Sequence, residues 1–259
     1  MINTDKINTF NKLLNSVDCS KNKFTVFSDF LTLSAYSLAQ PFYRSQQIEE
    51  KYLAVAKNYK LHQLTIFSQM LAVIVDALEK QAHDFLGNCF LSNDMGSEYR
   101  GQFFTPYPVC QMMAQIQFQD VKELIVKQGF VTVSEPCSGA GGMIIAAREV
   151  LIQEGYNPST DMFVEAIDID DLCFKMSFIQ LSLLGVAARV IRGNTLSMEV
   201  FEMLYTPVYF INRWHYKLSN ADQKNEFVNT HDQDSEKEGY TIKISKSMQE
   251  MSQLCLFKL

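Results

Sequence analysis

The stretch Glu135-Pro136-Cys137-Ser138-Gly139-Ala140-Gly141-Gly142 constrains the fold of this chain more than any other. Before it, Phe130 to Glu135 is β-branched and alternates; after it, Gly142 to Glu154 is apolar at helical spacing. A strand that runs through a glycine turn into a helix is half of a parallel β-α-β unit. The pattern then continues, with Phe163 to Asp170 reading as a second strand, Asp171 to Leu184 as a helix and Ala188 to Arg192 as a third strand. That order predicts an α/β fold with an open, doubly wound parallel sheet. Any ligand would lie beyond the carboxyl ends of its strands.

Glycines at such a turn let the backbone approach a ligand closely, and the helix that follows offers unpaired amides at its N-terminus. A nucleotide-like ligand is therefore expected. Ile144 stands where a dinucleotide fingerprint has its third glycine, the turn opens with an acid followed by proline, and the lysine of a P-loop is missing. Asp168, at the end of the second strand, lies at the interval where a ribose-binding carboxylate is expected. A carboxylate accepts both hydroxyls of a diol and repels phosphate, so adenosine without a phosphate fits. After the third strand comes Gly193-Asn194-Thr195, and a side-chain amide there can donate to and accept from an adenine edge. Asp168 has an alternative role as a helix N-cap and Asn194 as the stabiliser of a turn. Their placement on successive strands favours one shared site.

The rest of the chain divides into three parts. Residues 1–95 read as a helical domain: the first glycine is Gly87, and Pro41 separates an apolar segment, Phe24 to Ala39, from the stretches Glu49 to Tyr59 and Leu61 to Phe85. In the latter, Leu64, Phe67, Leu71, Ile74, Val75, Leu78 and Ala82 are expected on one side. Residues 96–218 carry the α/β pattern, and 219–259 form a polar tail with Thr241 to Ser245 as a candidate edge strand. With 47% hydrophobic and 20% charged residues the composition is that of a globular chain. Lys and Arg number 23 against 29 Asp and Glu, a net charge of −6, so the basic surplus of a free-standing nucleic-acid binder is lacking. The apolar run Leu71 to Leu78 is broken by Asp76 and followed by Glu79 and Lys80, short of the roughly 18 residues of a membrane helix. Nothing at the start reads as a secretory leader, so a cytoplasmic protein without membrane contact is expected. The cysteines are scattered with no CxxC pair and the histidines form no ligand pattern, so reduced thiols and no metal are expected.

Upstream of the first strand stands Gly101-Gln102-Phe103-Phe104-Thr105-Pro106, before a helix that starts near Pro108. Together with the EPCSGAGG turn, this string resembles the adenine-specific DNA methyltransferases, above all the modification subunits of type I restriction systems. The resemblance covers about Asp94 to Leu196, and the helical N-terminal region is similar to the bundle that precedes the catalytic domain in those subunits. It implies a Rossmann-like S-adenosylmethionine-dependent methyltransferase sheet, here truncated, preceded by an N-terminal helical domain. The cofactor it implies is S-adenosyl-L-methionine. Gln102, Phe103, Phe104, Thr105 and Pro106 would lie over the methionine end, Ala140, Gly141 and Gly142 would form the cofactor turn, and Glu135 would suit the cationic end. Asp168 would hold the ribose, and Asn194 would face the adenine ring. For Phe103 and Phe104, packing against the sheet is the alternative. The implied activity is adenine-N6 methylation of DNA in a restriction-modification system, with DNA reached through a local patch or through partners such as a specificity subunit.

The chain departs from this family in one place. Its members end a fourth strand in Asn/Asp-Pro-Pro-Tyr/Phe, whose polar groups accept hydrogen bonds from the target amine while the ring stacks on the flipped base. No such tetrapeptide occurs in this sequence. The nearest strings, Tyr205-Thr206-Pro207 and Asn212-Arg213-Trp214, lack the double proline and read as structural. A seven-stranded methyltransferase also needs several strands after Asn194. No catalytic residue is assigned, and a non-catalytic cofactor-binding or DNA-associated module is the alternative function.

Overall fold

The computed structural model describes residues 4–93, 95, 104–221 and 254–255. Helices come first: α1 (Thr4–Val17), α2 (Lys23–Tyr43), α3 (Gln46–Ala56), α4 (Leu61–Lys80) and α5 (Phe85–Ser92). Asn22 caps α2, its side chain accepting from the Phe24 amide at 2.7 Å. Pro41 lies inside the last turn of α2 and does not end it. The break comes at Arg44, which turns left-handed at φ 47° while its amide still reaches the Gln40 carbonyl. On α4 the buried stripe is Phe67, Met70, Ile74, Ala77 and Leu78, whereas Val75, expected on the same side, is exposed. α4 is long and apolar enough to cross a bilayer by length and composition alone. Here its stripe packs against α1, and Asp76 on its outer side pairs with Lys6 and Lys80.

The sheet region follows: α6 (Tyr107–Gln117), α7 (Val121–Gln128), β1 (Val131–Glu135), α8 (Gly142–Gln153), α9 (Pro158–Asp161), β2 (Met162–Asp168), α10 (Asp171–Leu183), β3 (Ala187–Asn194), β4 (Glu199–Tyr205), α11 (Pro207–Ile211) and β5 (Leu254–Cys255). The strand order is β4-β3-β2-β1-β5. The first three strands are parallel, with Val131 opposite Met162 and Phe163 opposite Ala187, as the repeated strand and helix pattern predicts. β5 joins β1 in parallel at Val133 and Ser134, while Thr241 to Ser245 lies outside the described residues. β4, which the sequence reading did not foresee, hairpins back antiparallel to β3. The fold class is thus α/β, a mostly parallel sheet preceded by helices.

β1 to β3 are buried along most of their length, as strands covered on both faces should be. One cover is α10, whose residues Leu172 to Leu181 are all buried because the helix is packed between the sheet and α2. The helical region and the sheet therefore share one apolar core. Polar ties reinforce it: Lys175 Nζ donates to Thr32 Oγ1 at 2.9 Å, and Tyr36 Oη donates to Glu202 Oε1 at 2.9 Å.

Candidate functional site

The loops after β1, β2 and β3 converge. The Ser138 amide donates to the Ile167 carbonyl and the Gly139 amide to Asp168 Oδ2, each at 2.8 Å, and Thr195 Oγ1 donates to the Pro136 carbonyl at 2.6 Å. The turn needs its glycines, because Gly139 (φ 53°) and Gly141 (φ 95°) are left-handed. Two buried side chains of α10 hold its carbonyls: Ser177 Oγ donates to Gly139 O and Gln180 Nε2 to Ala140 O, both at 2.7 Å. Above the turn lies a cavity of about 190 Å³ whose wall includes Asp84, Phe104, Thr105, Cys137, Gly142 and Asp168.

The residues singled out in the sequence are placed as follows. Gln102 and Phe103 lie outside the described residues. The Phe104 ring covers the turn, since a Cβ on Gly139 would sit 3.1 Å from it, and it meets Phe90 edge-on at 5.7 Å. Ala140, Gly142 and Thr105 are on the cavity wall, whereas Pro106 is the exposed residue that starts α6. Gly141 faces the other way: a Cβ there would meet Ser177 at 3.6 Å, so its left-handed backbone, rather than space for a ligand, demands glycine. Asp168 keeps its place on the wall because Asp170 caps α10, accepting from the Leu172 and Cys173 amides. Asp168 accepts from the Gly139 and Asp170 amides. Asn194 is not brought to the wall; its Oδ1 accepts from the Leu196 and Ser197 amides at 3.0 and 3.3 Å, the turn-stabilising alternative.

Glu135 is fully buried. Its Oε1 accepts from the Cys137 amide at 3.1 Å, while Oε2 is buried without a partner. Burial, with the nearby charge of Asp168, pushes its carboxyl up to about 7 despite the Cys137 amide. Burial also raises Asp168, and raises Asp84. The wall thiols are raised too, Cys110 to about 11 and Cys137 and Cys173 in the same direction, so all three are neutral thiols.

Asp84 was missed by the sequence reading. It caps α5, and its Oδ1 accepts from the Gly87 amide at 2.9 Å and from Gln180 Nε2 at 3.0 Å. An Asp before the apolar run Phe85 to Leu91 is an N-cap signature. That signal marks a helix start, but nothing in the spacing says that the start faces a turn more than fifty residues away. Among the described residues no group of His, Cys, Asp and Glu is arranged to hold a metal ion.

A family of sequences described as N-6 DNA Methylase matches residues 82–253. The chain belongs to this N-6 DNA methylase family. No curated protein matches it. Two solved structures are similar in outline. One is described as a class I S-adenosylmethionine-dependent methyltransferase from Listeria monocytogenes, with TM-score 0.38 and 13% identity over 71% of this chain and 52% of that one. The other is a type I restriction-modification system methyltransferase subunit from Streptococcus thermophilus, with TM-score 0.36 and 17% identity over 70% of this chain and 55% of that one. The chain spans about half the length of either.

In this N-6 DNA methylase chain the two strings nearest to the missing tetrapeptide lie at the opposite end of the sheet from the cavity. Because β4 runs back along β3, Tyr205 pairs with Arg189, near the start of β3. Thr206 Oγ1 accepts from the Ala188 amide at 2.9 Å and donates to Val186 O at 2.7 Å. Asn212 Nδ2 and Trp214 Nε1 both donate to Ser159 O, at 2.8 and 2.9 Å. The Trp214 ring packs on Phe130 and Phe163 at 5.2 and 5.6 Å. These groups brace the amino ends of the strands.

Proposed function

We propose that the cavity binds S-adenosyl-L-methionine and that the chain is a methyltransferase-type component of a restriction-modification system acting on adenine N6 in DNA. The observation that carries this reading is the convergence of the three strand-end loops on one cavity, with Asp168 on its wall. The buried, unpartnered Glu135 Oε2 and the absence of Lys and Arg from the described wall fit a ligand that brings cationic groups. In this reading Asp168, whose charge repels phosphate, accepts the ribose diol. Glu135 takes the cationic end of the methionyl part. The first amides of α8, at Gly142 and Met143, lack helical partners and attract its carboxylate. Phe104 and Thr105 cover the cavity, and the resemblance would give Gln102, Phe103 and Pro106 of the same string a part in holding the methionine end. The bound cofactor supplies an activated methyl group on its sulfonium.

The proposed organisation is a helical domain at 1–95, a cofactor domain at 96–218 and a tail at 219–259, in a cytoplasmic setting. DNA is reached through a local patch or through partner subunits such as a specificity subunit, as the net charge of −6 favours. Calorimetric titration with S-adenosylmethionine tests the cofactor: saturable heat and a raised melting temperature are expected, and neither at millimolar ligand would remove the reading. A second reading, a cofactor-binding module that does not itself transfer methyl groups, is favoured by the position of Thr206 and Trp214 away from the cavity. Transfer of labelled methyl to adenine in duplex DNA by the chain alone would exclude it.

A further inference from the structure

The charge of the cavity suggests a selectivity beyond simple occupancy. Asp84 and Asp168 lie on its wall, Glu135 adjoins it through the Cys137 amide, and no Lys or Arg is among the described residues of the wall. Asp84 is the least expected of these, because it comes from the helical region. Gln180, itself fully buried, donates through one amide nitrogen to Asp84 Oδ1 at 3.0 Å and to the Ala140 carbonyl at 2.7 Å, tying the carboxylate to the glycine turn. Both hydrogen bonds that Asp84 accepts through its side chain fall on Oδ1. Its Oδ2 packs against Gly87 of its own helix and, like its Cβ, lies 3.6 Å from the place of a Cβ on Gly142 of the turn.

A carboxylate 7% exposed is costly to keep charged without a cation beside it. Asp84 is more than the cap of α5 requires, because a Ser or Asn would accept from the Gly87 amide equally well. The same holds for Glu135, whose second oxygen is buried and unpartnered. The donors on the wall are amides, hydroxyls and thiols, which are neutral. A ligand that differs from another only by one positive charge is therefore held more tightly here, and the difference disappears when that charge is lost.

We infer that Asp84 makes the cavity selective for charge, so that the sulfonium form of the cofactor binds in preference to its neutral thioether product. This rests on the cofactor reading above. The two ligands share their adenosine, carboxylate and ammonium groups and differ in the sulfonium methyl, so the ratio of their affinities isolates this contribution. Loss of the methyl then itself weakens binding, and the product leaves without a further conformational step.

The test is calorimetry on the whole chain with three ligands: S-adenosylmethionine, S-adenosylhomocysteine, and sinefungin, which carries an ammonium in place of the sulfonium. The two cationic ligands are expected to bind at least about tenfold more tightly than the thioether. Asp84→Asn keeps the Oδ1 acceptor and should bring the ratio within about threefold. Asp84→Ser, which retains a cap, is the second variant should Asp84→Asn melt too low to measure. Equal binding of all three ligands by the parent chain, or a ratio that both variants leave intact, overturns the inference while the cofactor reading stands. Failure of all three to bind removes both.

Discussion

The two ends of the parallel sheet are made from the same three strands, yet they use their polar groups in opposite ways. At the amino ends, Thr206 Oγ1, Asn212 Nδ2 and Trp214 Nε1 are each matched by backbone carbonyls or amides, and Phe130, Phe163, Ala187 and Trp214 close a small apolar cluster. At the carboxyl ends stand a carboxylate oxygen with no partner, one buried and one half-buried carboxylate raised by desolvation, and glycines in left-handed conformations. The exception at the amino ends is Arg189 Nε, buried without a partner although its guanidinium pairs with Glu165; the carboxylates of the other end form no ion pair among the described residues and stand on or beside a cavity. The difference marks the first as bracing and the second as a place kept ready for something that is not protein.

The largest effect is expected at the braced end. Trp214→Ala removes a fully buried ring and its hydrogen bond to Ser159, and should lower stability by about 3–5 kcal/mol. Chemical denaturation reads this directly. Affinity for S-adenosylmethionine, measured well below the melting temperature, should not change. A cofactor affinity that fell with Trp214 would show that the two ends are not independent.

Glu135 offers the reverse case, a residue whose removal should strengthen the fold. Its carboxyl is raised from the usual 4.5 to about 7, chiefly by burial and secondarily by Asp168, with the Cys137 amide opposing. Between those two values the folded chain binds the proton that the unfolded chain has released, so stability falls as pH rises through the window, and this group's contribution is fully lost above it. At about 1.4 kcal/mol per pH unit this amounts to roughly 3 kcal/mol. Glu135→Gln should flatten that part of the pH profile and leave the variant the more stable protein at pH 8. It should bind the cofactor less well. A profile identical to the parent between pH 5 and 8 would place the titrating group elsewhere.

Much of this architecture was legible in the residues themselves. The strand, turn and helix order from Phe130 to Arg192 predicted β1 to β3 and their parallel pairing, because buried parallel strands and their crossover helices have distinct periods. Asp168 was legible for the same reason, as a carboxylate at the end of a predicted strand. What was hidden depended on tertiary partners. The residues of β4 alternate only weakly, and the antiparallel return emerges from its pairing with β3 and the support of Tyr43 Oη, which accepts from the Tyr205 amide. Asp84 reaches the cavity through Gln180, a contact between residues 96 positions apart that no local pattern encodes. Val75 was placed inward by its neighbours' spacing, yet it lies past the edge of the α4 stripe and stays in solvent.

Within the unmatched end, Asp168 and Asn194 separate a side chain that faces the cavity from one that faces its own turn. Asp168→Ala removes an acceptor from the wall and also frees the Gly139 amide, so two interactions fail together. Each charged hydrogen bond contributes roughly 1.5–3 kcal/mol, and binding should weaken by about tenfold or more. An unchanged affinity would move the ribose away from β2.

Asn194 should give the smallest effect, and it is the place where the family resemblance and the geometry pull apart. The resemblance puts its amide against the adenine ring, where Oδ1 would accept from the exocyclic amine and Nδ2 would donate to the ring nitrogen. In the structure Oδ1 already accepts two backbone amides of the turn that follows β3, which leaves only Nδ2 for a ligand. One neutral hydrogen bond contributes about 1 kcal/mol, and its partner nitrogen in the ligand can return to water when the donor is lost. Asn194→Ala should therefore weaken S-adenosylmethionine about two- to fivefold while loosening the turn at Leu196 and Ser197. Asn194→Asp, which retains the turn acceptor and removes the donor, should match the Ala variant in affinity but keep the parent's stability. If Asp instead binds more tightly than Asn, an acceptor is what the adenine amine meets, the side chain has turned toward the cavity, and the resemblance is the better guide at this position.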